Sequence, residues 1–195
     1  MYKRQIIISG GQVKISNASQ AISCKIGFVP ADRKKNGIIE ILNVKENLTL
    51  ANIKALGRRG FINKKVEDER SKKWVRALNI KTPSLSTKIA SLSGGNQQKV
   101  VIGRWLDSAS KILILNEPTH GVDVGAKVEI YNIIEDFCER GVAVLLISSE
   151  IPELIAICDR VLVIYKGKLS AELKGKDITQ ENILRLAMSG VSDEE

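Results

Sequence analysis

Two short stretches carry residue types able to act on a phosphate. Ser93-Gly94-Gly95 opens a helical pattern that continues through Val100, Val101 and Trp105. A Ser at a helix start followed by two glycines leaves the first backbone N–H groups uncovered, and the helix dipole favours an anion there. Glycine-bearing helix starts are common, so this stretch alone points only to anion chemistry. Some twenty residues on, Ile112-Leu113-Ile114-Leu115-Asn116-Glu117 is an apolar strand that ends on a carboxylate. Open α/β sheets bring ligands to the C-terminal ends of their strands. A Glu in that place would orient, or take a proton from, a water attacking a phosphate; read alone, it is more often a surface carboxylate. Gly121-Val122-Asp123 follows directly.

The elements that must position these residues are legible as patterns. Gln5–Ile8 and Val13–Ile15 read as a hairpin across Gly10–Gly11, followed by a short helix over Asn17–Ser23 and a strand over Ile26–Val29 that stops at Pro30. Asp32–Gly37 is a charged loop ending in the turn-like Asn36–Gly37. From Val44 to about Leu106 the pattern is helical. Asn63 caps a stripe of Val66, Trp74, Val75 and Leu78, Pro83 closes that segment, and Ser93 stands where an N-cap belongs. Strand and helix then alternate: Ile112–Leu115, Ala126–Phe137, Val142–Ile147, Pro152–Ile157 and Val161–Ile164, with Lys168–Leu173 returning across Gly167. These spacings predict an α/β fold with a mainly parallel sheet covered on both faces. A helix over Gln180–Met188 and a frayed acidic tail are expected at the end.

Composition narrows the classes. The 195 residues suffice for one sizeable core but not for two ordinary domains with linkers. The 44% hydrophobic and 27% charged residues suit a folded, water-soluble chain. No apolar run approaches the roughly 20 residues of a membrane-spanning helix, and Gln5–Ile8 is too short for the apolar region of a signal peptide. Membrane association would therefore go through a partner protein. Cys24, Cys138 and Cys158 are widely spaced, without a C-x-x-C pair, and read as small buried thiols. Much of the net charge of +8 lies in Arg58–Arg59 and in Lys64–Arg76, where Glu67, Asp68 and Glu69 interleave as on a solvated helix face. Aromatic residues are only 4% and none interleave with the basic ones, which argues against nucleic acid as a partner.

Order and spacing together carry more than any one stretch. Leu92-Ser93-Gly94-Gly95-Asn96-Gln97-Gln98 resembles the signature motif of ABC ATPases, Ile112–Glu117 their Walker B strand, and Gly121–Asp123 their D-loop. The runs Asp32-Arg33-Lys34-Lys35, Gly121–Lys127 and Ser148-Ser149-Glu150-Ile151-Pro152-Glu153 are similar in detail to the second nucleotide-binding half of sugar importers of the ribose/galactose type. The resemblance covers nearly the whole chain from about Gly10. It implies a partial P-loop NTPase domain, a RecA-like core with a helical signature subdomain over 44–106 and the C-terminal part of the core over 107–195.

The same resemblance implies what would be present elsewhere. No G-x-x-x-x-G-K-[ST] loop occurs in the sequence, and in the family that loop precedes the first hairpin, so the chain reads as N-terminally truncated. Asn116 stands where an Asp normally holds the Mg²⁺ hydration shell, Ser149 where many members carry a switch His, and Ala31 where a Q-loop Gln or Glu is expected. His120, the only histidine, reads as a solvated loop residue. In the family's dimers each ATP lies between the phosphate loop of one half and the signature of the other. Ser93, Gly94, Gly95 and Gln97 would then serve ATP held by a partner half, while catalytic Glu117, with Asn116 at the metal, would serve a pocket whose phosphate loop lies upstream. The implied cofactors are ATP and Mg²⁺. The implied partners are a second ABC half, transmembrane permease subunits and, through them, a sugar-binding protein. The implied place is the cytoplasmic face of the plasma membrane. Two alternatives remain: a catalytically inactive or regulatory binding module, and a non-transport ABC ATPase.

Overall fold

The computed structural model describes residues 5–58 and 61–189, with Arg58 described by its backbone only. Met1–Arg4, Arg59 of the basic pair and the acidic tail after Ser189 lie outside the described residues. Contacts divide the chain inside its third long strand into two compact units, residues 1–145 and 146–195.

The first unit opens with β1 (Ile6–Ile8) and β2 (Gly11–Val13), an antiparallel pair in which Ile8 faces Gly11. The turn is Ser9–Gly10, both at positive φ, so the second strand begins at Gly11 rather than at Val13. The turn has two residues because Gly10 and Ser9 take the left-handed conformations that a tight hairpin needs. Helix α1 (Ala18–Ser23) is capped by Asn17, whose side chain accepts from the Gln20 N–H. β3 (Ile26–Val29) follows.

Arg33–Gly37, expected as a loop, is one π-helical turn. Asp32 caps it by accepting from the Lys35 N–H at 3.0 Å, and Ile38 N–H closes it on the Arg33 carbonyl at 2.8 Å. Helix α2 (Val44–Thr49) begins with a capping box between Asn43 and Glu46 and runs into a 3₁₀ segment, Leu50–Leu56. A small antiparallel pair, β4 (Gly57–Arg58) and β5 (Phe61–Ile62), interrupts the region expected to be wholly helical. Asn63 then caps α3 (Lys64–Ala77) through the Lys65 and Val66 N–H groups, as its position foretold. A 3₁₀ turn at Ile89–Ser91 leads into α4 (Gly94–Asp107), which packs against both α2 and α3.

β6 (Ile112–Asn116) lies parallel to β3, with Gly27 opposite Leu113 and Val29 opposite Leu115. Helix α5 (Val124–Glu139) and β7 (Ala143–Ile147) complete a three-stranded sheet of order β3-β6-β7. Val29, Leu113 and Leu115 are buried on one face, and a Cβ at Gly27 would lie 2.9 Å from the Trp105 ring of α4. Among the described residues the other face is only partly covered: Phe28 is 47% and Leu145 49% exposed, and Ile114, opposite Phe28, is half-buried. Two covered faces were expected. Alternating β3 residues here instead divide between a packed side and an open one.

The helical part of this unit is held by buried polar groups as much as by apolar ones. Arg104 donates from Nε to the Asn47 carbonyl at 2.8 Å and from Nη2 to its Oδ1 at 3.1 Å. Asn47 in turn exchanges hydrogen bonds with the backbone of Ile39 and reaches the Asn43 carbonyl. Burial pulls the Arg104 pKa down to about 10. The charged face of α3 is only partly solvated, since Glu67 is buried beside Lys45, and Arg70 and Trp74 both donate to Asp107 Oδ1.

The second unit contains α6 (Ile151–Ile157), β8 (Arg160–Tyr165), β9 (Lys168–Lys174) and α7 (Gln180–Ser189). β8 and β9 form their own antiparallel sheet. Val161, Val163, Leu173, Ile178, Ile183 and Leu186 make its core. Cys138 is exposed and Cys24 and Cys158 are half-buried, not the fully buried residues expected.

Candidate functional site

Helix α4 starts with its amides uncovered, because Ser93 occupies the N-cap without capping. Its backbone is extended, at φ −61° and ψ 156°, and its hydroxyl makes no bond to the helix N–H groups. Instead Ser93 Oγ accepts from Asn96 Nδ2 at 2.8 Å, while Asn96 Oδ1 accepts from the Lys81 N–H at 2.8 Å. Asn96 therefore turns the Ser93 hydroxyl aside and ties the helix start to the segment before it. With the Gln97 N–H bonded to the Ser93 carbonyl at 2.9 Å, the amides of Gly94, Gly95 and Asn96 remain at the positive end of a 14-residue helix.

The glycines are required by close approach. A Cβ on Gly94 would come within 2.5 Å of Arg33 Nη2 and 3.0 Å of the Gly121 carbonyl; one on Gly95 would meet Ala126 Cβ at 2.5 Å. Gln97 is 95% buried, being 5% exposed, and its amide is already engaged. Its Nε2 donates to the carbonyls of Ile89 and Leu92, and its Oε1 lies 3.4 Å from Arg33 Nε. Gln97 thus shapes the turn that delivers the helix start.

The loop after β6 is wound tightly. Glu117 takes a left-handed φ of +48° and Gly121 one of +65°. His120 N–H returns to the Glu117 carbonyl at 3.1 Å and Val122 N–H to the Thr119 carbonyl at 3.1 Å. A non-glycine residue held at positive φ costs about 1–2 kcal/mol, here at the one carboxylate of the loop's first half. Asp123 ends the loop by capping α5, its Oδ1 accepting from the Ala126 N–H at 2.9 Å. His120 is exposed.

Ser93, Gly95 and Asp123 share a cleft of about 250 Å³, with Lys81, Lys99 and Glu129 on its walls. Asn116 and Glu117 are half-buried at the end of β6 and do not line it. Lys99 is almost fully buried, its ammonium donating to Glu129 and to the Asn79 carbonyl at 3.0 Å. The hydrogen bond from Lys99 holds the Glu129 carboxyl below its ordinary pKa. Ser149 is exposed in the second unit. Among the described residues no cluster of three or more His, Cys, Asp or Glu suits a metal. One carboxylate and one amide at Glu117 and Asn116 do not make a Mg²⁺ cage of their own. The bare helix start, by contrast, fits a phosphate.

The model of the ABC transporter family matches residues 2–120. The chain belongs to this family.

Its relatives include the xylose import ATP-binding protein of Thermoanaerobacter pseudethanolicus, 43% identical over 186 residues, which are 95% of this chain and 37% of that protein. The ribose import ATP-binding protein of Bacillus licheniformis is 45% identical over 185 residues, 95% of this chain and 38% of its own length. The chain thus spans less than two fifths of the curated relatives it matches. Solved structures agree on the fold. A nucleotide-free ATP-binding cassette of an ABC transporter superposes with a TM-score of 0.76 at 20% identity, over 92% of this chain and 72% of the other. A dimeric cassette in a post-hydrolysis state with ADP and Pi gives 0.71 at 20% identity, over 87% and 72%. The α/β architecture and the sugar-importer resemblance read from the sequence both hold.

Arg33 was quoted within a motif but given no role. Its acceptors lie 87 and 88 residues away, and no periodicity signals a contact of that range. Asn96 and Glu129 were also missed. An Asn three residues after an N-cap Ser is the one local signal available for the first.

Proposed function

We propose that this chain is the signature-bearing part of an ATP-driven motor for sugar import, working within a longer polypeptide and against a second nucleotide-binding half. The observation that carries this reading is the uncapped start of α4. It sets Ser93 and Gly95 in one cleft with Asp123, in a family with sugar-import members over 40% identical to this chain. Bound at that start, ATP would supply the phosphoanhydride whose hydrolysis drives the motor. Ser93, Gly94 and Gly95 would bind its terminal phosphate through backbone N–H groups and the helix dipole, and Gln97 keeps them in place. Glu117 would orient the attacking water at the second pocket, and Asp123 fixes the start of α5 between the two sites. Mg²⁺ would enter with the phosphates, with Asn116 offering only a neutral amide to its water shell.

No helix among the described residues is long and apolar enough to cross a membrane. Attachment through a permease at the cytoplasmic face accords with this reading. The helical subdomain over 44–106 would meet that permease, and a sugar-binding protein on the far side would choose the cargo.

The test is the ATPase activity of the full-length polypeptide assembled with its permease. Ser93→Arg should cut turnover by about 100-fold or more, because it sets a bulky cation where amides must approach. Glu117→Gln should separately abolish hydrolysis at its own pocket. Undiminished turnover in the Ser93 variant would sink the reading.

A further inference from the structure

Arg33 makes a connection that neither the signature nor the loop after β6 makes for itself. Its root is fixed. Asp32 caps the π-helical turn that carries it, and a Cβ on Gly37, at the end of that turn, would lie 3.5 Å from Val101 of α4 and 3.1 Å from Arg33 Cβ. Its tip is fixed as well. Nη1 donates to the His120 carbonyl at 2.7 Å and Nη2 to the Gly121 carbonyl at 3.0 Å, with Gln97 Oε1 facing Nε. The guanidinium thus lies between the start of α4 and the loop, close enough that a Cβ at position 94 would come within 2.5 Å of its Nη2 and displace it. Partial burial draws its pKa below the ordinary value, with Asp32 opposing the shift.

A planar fork that meets two successive carbonyls fixes direction as well as distance, which a single ammonium does not. The two carbonyls belong to the loop in which Glu117, a non-glycine residue, is held at a left-handed φ of +48°, a conformation that carries a cost. Arg33 occupies the place of a fastening for a loop that would otherwise relax.

We propose that Arg33 is a positioning residue: it locks the Glu117–Asp123 loop to the signature helix so that the two move as one piece. On the functional reading above, on which this rests, the consequence is specific. The amides offered to one nucleotide and the carboxylate serving the other are held in a single register by one side chain, rooted in the turn just before the 39–43 segment.

The experiment has two arms, using Arg33→Ala and Arg33→Lys, the latter keeping charge and stem and so guarding against loss of the fold in the former. In this chain, amide hydrogen exchange is followed by mass spectrometry across 117–123. In the assembled full-length protein, ATPase kinetics are measured. Both variants should exchange about 10-fold faster over 120–123 than wild type while their melting temperatures stay within a few degrees. Both should lose about 10- to 100-fold in kcat with KM for ATP little changed, because misplacement is felt chiefly in the transition state. Unchanged exchange in the lysine variant, or faster exchange with kcat intact, overturns the proposal. A wild-type assembly without Ser93-dependent turnover would overturn the functional reading instead, and the exchange arm would still decide whether Arg33 fastens the loop.

Discussion

Lys99 is 2% exposed, and Glu129 and the Asn79 carbonyl meet its side-chain nitrogen on the cleft wall. Glu129 is itself 40% exposed, so solvent screens the pair and Glu129→Gln should lower stability by about 1 kcal/mol at neutral pH. The pH dependence has a definite sign. The folded-state pKa of Glu129 lies below its ordinary value of 4.5. Its contribution is therefore complete above that value and disappears as pH falls through the folded pKa. Urea unfolding of wild type and Glu129→Gln from pH 7 to pH 3 should show two midpoints that converge in acid, and parallel curves would refute the assignment. This pair was not legible in the sequence, because Glu129 lies 30 residues from Lys99 and no local pattern joins them. Ser93 was legible as an N-cap by type and position, but not as one whose hydroxyl is engaged by Asn96 rather than by the helix. Cap propensity ranks residues by what they do locally, and Asn96 is held by Lys81, fifteen residues upstream.

At the level of elements, the strands and helices with clean local punctuation were placed well. Pro30 ends β3, Asn63 caps α3, and the apolar run of β6 needed no context to be read. The misses have different causes. The π-helical turn at Arg33–Gly37 brings Gly37 toward α4, a distant partner, whereas β4–β5 is a local pair whose two-residue strands are too short to show an alternating pattern. Arg104 ties two helices together, since its two bonds to Asn47 anchor α2 to the last turn of α4, and Asn47 carries that anchor on to Ile39. Arg104→Ala removes the side-chain donor to the Asn47 carbonyl, leaves Asn47 Oδ1 with the Ile39 N–H alone and opens a gap where the guanidinium lay. The expected loss is about 2–4 kcal/mol, with Asn47→Ala comparable and the double variant clearly less than additive. Chemical denaturation of the four proteins completes the cycle, and additive losses would show that the two residues do not act as one network.

At the scale of the whole molecule, the sequence conveyed the family through a set of motifs in order, which is a global property even though each motif is local. It did not convey that contacts divide the chain within β7, or that β8 and β9 pair only with each other among the described strands. Alternation of strand and helix predicts a parallel sheet, but it does not state which strands join it. The proposed function divides in the same way: the helix start at Ser93–Gly95 is suited to a phosphate, while no G-x-x-x-x-G-K-[ST] stretch occurs in the sequence.

The open face of the β3-β6-β7 sheet has a consequence for the chain in the test tube. Phe28 and Leu145 present apolar surface to water on an otherwise ordered sheet, and surface of this kind drives self-association and takes up hydrophobic dyes. A solution of this polypeptide should brighten anilinonaphthalene sulfonate while its circular dichroism remains that of a folded protein. It should also scatter light increasingly as its concentration rises through the micromolar range. Phe28→Ser, which leaves the buried residues on the opposite side of β3 untouched, should reduce both signals. If dye and scattering are unchanged by that substitution, the colloidal behaviour of the chain has its source elsewhere.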